Sequence, residues 1–63
     1  KEREVHKMKF LVKIFLDMNA LVKEMLFSSL SEAVFIASLA SLDEDCQSVV
    51  VDIDTGEVLK DFL

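Results

Sequence analysis

The sequence predicts a small α+β fold, ββαββ, in which one helix packs on an antiparallel sheet. Three observations predict it. Ser29 to Leu42, SLSEAVFIASLASL, opens on a capping box and holds no Gly or Pro. Apolar stretches with strand character, Met8 to Phe27 and Ser48 to Phe62, flank it on both sides. Each flank carries turn residues partway along: Met18-Asn19 in the first, Asp54-Thr55-Gly56 in the second.

Residues 1–7, KEREVHK, read as a charged lead, frayed or briefly extending the first strand. A single ββαββ domain is expected over residues 8–63. From Met8 the even positions Phe10, Val12, Ile14, Leu16 and Met18 are all apolar, whereas Lys9, Lys13, Asp17 and Asn19 are polar. That is a strand period. His6, Lys9, Lys13, Asp17 and Glu24 also lie near one helical stripe, so an all-helical Glu4 to Leu26 is the competing reading. The strand is preferred because the even positions are unbroken and no clear helix cap precedes Asn19.

A two-residue turn at Met18-Asn19 pairs this strand with Ala20 to Phe27. The register sets Lys13 opposite Glu24, a favourable cross-strand pair, Leu11 opposite Leu26 and Phe15 opposite Val22. Phe10, Val12, Ile14, Leu16, Leu21, Met25 and Phe27 then face the helix. Leu11, Phe15, Val22 and Leu26 form an apolar patch on the other face, rimmed by Lys9, Lys13 and Glu24, and so a candidate contact surface.

Ser29 caps the helix, with Glu32 placed to reach back to the Ser29 N–H. Leu30, Ala33, Val34, Ala37 and Ala40 line one side. Phe35, Ile36, Leu39 and Leu42 line another, and the polar residues are Glu32 and small serines. A surface helix ordinarily has one apolar stripe and a charged back. This one needs cover on two sides, or else its serines face water.

Asp43-Glu44-Asp45 ends the helix in acid, mildly unfavourable at the negative end of its dipole. Ser48 to Ile53, SVVVDI, is a strand by its β-branched run. Gly56 closes a bulged hairpin turn through positive φ, and Glu57 to Phe62 returns as the fourth strand.

At 63 residues the chain is short for a self-sufficient core. One Cys and one His allow neither a disulfide nor a zinc set, leaving oligomerisation or very apolar packing as the source of stability. The residues are 52% apolar, too apolar for a disordered chain. A formal charge of −5 argues against nucleic-acid binding, which rests on basic surface. Met25 to Leu42 approaches a bilayer span in length, but Glu32 and its serines argue against a membrane helix. No export signal is visible and the thiol is free, so a cytoplasmic location is expected.

Residues able to carry chemistry are sparse. His6 stands in the charged lead with no carboxylate placed to orient it. Cys46 borders the acidic loop, whose charge discourages the thiolate. Asp52 and Asp54 point to one side of a strand, but D-I-D-T-G-E lacks the further ligands of an EF-hand loop, and turn chemistry accounts for its second half. No phosphate loop or nucleophile elbow is present. No catalytic, cofactor or metal site is therefore expected.

The sequence points to a non-catalytic protein-interaction module, a homodimer or higher oligomer that binds and modulates a larger protein. Its contact residues are Leu11, Phe15, Val22, Leu26, Phe35, Leu39 and Leu42. The alternatives are a subdomain of a longer chain, its greasy helix packed on the remainder, or an acidic inhibitor that mimics DNA. The layout, a hairpin, a helix opened by S-L-S-E-A and a strand ending V-D-I-D-T-G-E-V, resembles that of many short bacterial and phage proteins. That similarity names no family and assigns no functional residues.

Overall fold

The computed structural model describes residues 8–17 and 20–62. The elements are β1 (Phe10–Leu16), β2 (Ala20–Phe27), α1 (Leu30–Ala40), β3 (Cys46–Asp52) and β4 (Val58–Phe62). The strands form one antiparallel sheet in the order β2-β1-β3-β4, with α1 packed on it. This is the α+β order that the sequence predicts. The charged lead, with His6, and the Met18-Asn19 turn lie outside the described residues.

The alternation along β1 wins over the helical stripe because it gives the strand one buried side. Val12 is fully buried, and Phe10 and Ile14 pack against the same core. The pairing with β2 sets Lys13 opposite Glu24 and Leu11 opposite Leu26. Beyond Ile14 the predicted register fails. A bulge places Phe15 opposite Leu21, leaving Val22 as the extra residue. Past the bulge Leu16 is paired with Ala20, and Asp17, the residue after β1, adopts φ 55°. Asp tolerates this left-handed conformation better than most residues. One expectation falls with the register: Leu21 lies across from Phe15 and not toward the helix. Leu16 keeps the side of Val12 and Ile14 but is 41% exposed at the hairpin's end.

β2 and β3 both run antiparallel to β1, so they run parallel to each other with β1 between them. Parallel strands need a long crossover, and α1 supplies it. The helix consequently lies across β1 and β3, the middle of the sheet. Ala33 and Ala37, one turn apart, are its fully buried residues and meet Val12 and Val50. Their methyl side chains let the helix axis come close. Phe10, Ile14, Phe27, Val34 and Phe62 seal the periphery. One polar group is buried in this contact. The Ser48 hydroxyl, on β3, donates to the Ala37 carbonyl at 2.7 Å, so it is satisfied.

Ser29 is the N-cap, its hydroxyl accepting the Glu32 N–H at 3.4 Å. The reciprocal half of the capping box is not formed; the Ser29 hydroxyl instead meets the Ser31 hydroxyl at 3.0 Å. In the β3–β4 hairpin Gly56 has φ 78°, and a bulge separates the Val50–Lys60 and Val51–Val58 pairs. β3 ends at Asp52, whose carboxylate accepts the Asp54 N–H at 2.9 Å in an Asx turn, while the Ile53 N–H still donates to the Lys9 carbonyl at 3.0 Å.

Two substitutions test the helix–sheet contact. Ala37→Leu inserts bulk where none is free and is expected to destabilise by about 1–3 kcal/mol. Ser48→Ala removes one hydrogen bond, yet the Ala37 carbonyl keeps the Ser41 N–H at 3.1 Å, so the loss is about 1 kcal/mol. Urea unfolding followed by circular dichroism measures both.

Candidate protein-interaction surfaces

The outer side of α1 carries Phe35 (60% exposed) and Leu39 (47%), and Leu42 (79%) follows just past its end. Spacings of four and three residues stack them in one row. The serines beside them do not make this side polar. The Ser38 hydroxyl donates to the Phe35 carbonyl at 2.8 Å, and the Ser41 hydroxyl to the Ser38 carbonyl at 3.1 Å. Hydroxyls already bonded to their own helix cost little when a partner covers them. Ile36, grouped by sequence with this row, is half-buried, and Leu30, expected on the core side, is largely exposed in the first turn. Glu32 stands at one end of the row and Asp43, Glu44 and Asp45 at the other, and α1 itself contains no Lys or Arg.

The sheet face turned away from α1 is the second apolar surface. Cross-strand pairing orders it into rows. Leu26, Leu11, Val51 and Val58 form one, and Glu24, Lys13, Val49 and Asp61 the next. Phe15 lies between Leu21 and Gln47 in the third. Leu11 and Phe15 are half-buried; Leu26 and Val22 are largely exposed. Leu21 and Val58 also belong to this surface and were missed by sequence reasoning, because each sits beside a bulge that alternation alone does not reveal. The side-chain oxygen of Gln47 is buried without a hydrogen-bond partner. The structure thus separates the sequence-predicted contact residues into two groups. Phe35, Leu39 and Leu42 lie on the helix side, and Leu11, Phe15, Val22 and Leu26 on or beside the opposite sheet face.

The groups able to carry chemistry are committed to turns. The Asp43 carboxylate accepts the Asp45 N–H at 3.0 Å, and the Asp17 N–H donates to the Asp45 carbonyl at 2.8 Å. This end of the sheet therefore gathers Asp17, Asp43 and Asp45 around half-buried Cys46. Burial, and then the charges of Asp43, Asp45 and Asp17, push the thiol above its ordinary pKa. Asp52 and Asp54 share the Lys9 ammonium at 3.7 and 4.0 Å. Among the described residues no group of three or more His, Cys, Asp or Glu is placed to hold a metal ion, and no helix is long and apolar enough to cross a membrane.

The chain matches no protein-family model, and neither the curated proteins nor the solved structures yield a match. The two surfaces are therefore interpreted from their own chemistry.

Cys46 provides a check on the acidic end. Its raised pKa means that folding favours the neutral thiol. This contribution to stability is complete below the unfolded thiol pKa of about 8.5 and is lost as pH rises through the higher folded value. Iodoacetamide at pH 8.5 is expected to alkylate Cys46 more slowly in the native protein than in urea. Asp43→Asn, which keeps an acceptor oxygen, should narrow that gap.

Proposed function

We propose that this chain is a non-catalytic protein-interaction module that self-associates and binds a larger protein, modulating it. The supporting observation is that the helix and the sheet cover each other on one side only, leaving two bare outer faces. Phe35, Leu39 and Leu42 stand exposed on one side, and Leu11, Phe15, Leu21 and Leu26 line the opposite side. Contiguous apolar surface on a small domain marks a contact site. The free Cys46 thiol suits the reducing conditions of the cytoplasm. Mimicry of DNA calls for acids on one face, whereas here they are divided. Asp17, Asp43 and Asp45 lie near the start of β3, and Asp52 and Asp54 near its end.

Exposed residues that serve binding should be dispensable for folding. The pair Phe35→Ser and Leu39→Ser is expected to change monomer stability by no more than about 0.5 kcal/mol each. It should also reduce hydrophobic-dye binding and abolish retention of any cell protein that the unaltered chain captures specifically. Sedimentation equilibrium of the unaltered chain should show a dimer or larger species. A strict monomer at high micromolar concentration that binds no dye rules the proposal out.

A further inference from the structure

The two bare faces are similarly apolar but differ in charge, and the difference decides which one suits a second copy. On the helix side every charge at the ends of the Phe35–Leu39–Leu42 row is acidic. If a second helix runs antiparallel, Glu32 meets the acidic loop of the other copy. If it runs parallel, the loops meet each other. Like charges brought together at an interface are strongly unfavourable. The free edge of β2 is guarded in a different way. Antiparallel pairing of β2 with itself across a two-fold axis sets opposite each other only residues on the same side of the sheet. Near the middle of the strand this aligns Lys23 with Lys23, or Glu24 with Glu24, both destabilising.

The outer face of the β1–β2 hairpin has neither defect. Lys13 and Glu24 lie side by side there, with Leu11 and Leu26 to one end and Phe15 and Leu21 to the other. The patch is nearly symmetric about a line running between the two strands. Rotation by half a turn about such a line, lying in the contact plane, places β1 of one copy over β2 of the other. Lys13 then lies over Glu24 of the second copy, and Glu24 over its Lys13. Leu11 covers Leu26 and Phe15 covers Leu21, each twice by symmetry. The result is two sheets packed face to face, an arrangement with a spacing of about 10 Å that suits side chains of this size.

We propose that this hairpin face is a homodimer interface, closed by reciprocal contacts between Lys13 of each copy and Glu24 of the other. This rests on the self-association reading above and assigns it a surface, leaving the helix row with its two acidic ends for a different protein. Charge exchange tests it in the intact chain by sedimentation equilibrium and native mass spectrometry. Lys13→Glu alone and Glu24→Lys alone should each weaken the dimer at least about tenfold, whereas an equimolar mixture of the two should restore it as a heterodimer. The double variant Lys13→Glu/Glu24→Lys keeps the cross-strand pair within each copy, so it is suitable even where a single variant folds poorly. It should dimerise like the unaltered chain yet form no hybrids with it, because a hybrid sets like charges face to face. Free exchange of copies between the double variant and the unaltered chain overturns the assignment. A dimer insensitive to these changes but broken by Phe35→Ser/Leu39→Ser moves the interface to the helix and leaves self-association intact. A strict monomer overturns both.

Discussion

The contact of Ala33 and Ala37 with Val12, Val50 and Ser48 is the constraint on which the rest depends. A helix that must bridge β2 and β3 has to cross β1, and it can sit low over that strand only where its side chains are small. Two alanines one turn apart provide this. The Ser48 hydroxyl then reaches the Ala37 carbonyl directly across the gap, a bond that a bulkier contact would hold apart. The hydrogen bond contributes only about 1 kcal/mol, but leaving that hydroxyl buried and unpaired would cost about 1–3 kcal/mol. Polar satisfaction and close packing thus select the same helix position.

That position also explains the exposed surface. Close docking through alanines buries little side-chain volume, so the larger apolar residues pack around the margin or point away. Phe10, Ile14, Phe27, Val34 and Phe62 take the margin. Phe35, Leu39 and Leu42 cannot, because the two alanines already define the side of α1 that meets the sheet. With one helix and one sheet there is no third layer, and the second sheet face stays bare for the same reason. The excess of apolar surface follows from the architecture as much as from the composition.

Much of this was legible in the residues. The unbroken apolar even positions from Phe10 to Leu16 announced a strand with one buried side, and the opposite charges of Lys13 and Glu24 marked the pairing register. Ser29 announced the start of the helix. The two bulges were less legible. Gly56 flagged irregularity in the second hairpin, since positive φ is easy for glycine. Asp17 gave no such warning, because a left-handed Asp looks in sequence like any polar turn residue. The bulge at Val22 carried Leu21 from the side assigned to it by alternation to the side of Phe15. The exposed helix row was readable from spacing, but the inward bonding of Ser38 and Ser41 was not, since a serine in sequence shows no direction.

The acidic end shows how local turn chemistry can oppose the helix it terminates. Asp43 and Asp45 follow a helix with no basic residue in its last turn, where their charge costs about 0.3–1 kcal/mol. They are nevertheless placed to build the return into β3. The Asp43 side chain holds the Asp45 N–H, its carbonyl takes the Cys46 N–H at 3.0 Å, and the Asp45 carbonyl takes the Asp17 N–H. The helix exit and the β1–β2 turn are thereby tied together beside the start of β3. Of these three bonds only the first uses a carboxylate, so the tie depends little on charge. The negative charge is a by-product of choosing Asp for turns; it adds to burial in favouring the neutral Cys46 thiol, and it makes both ends of the exposed helix row acidic.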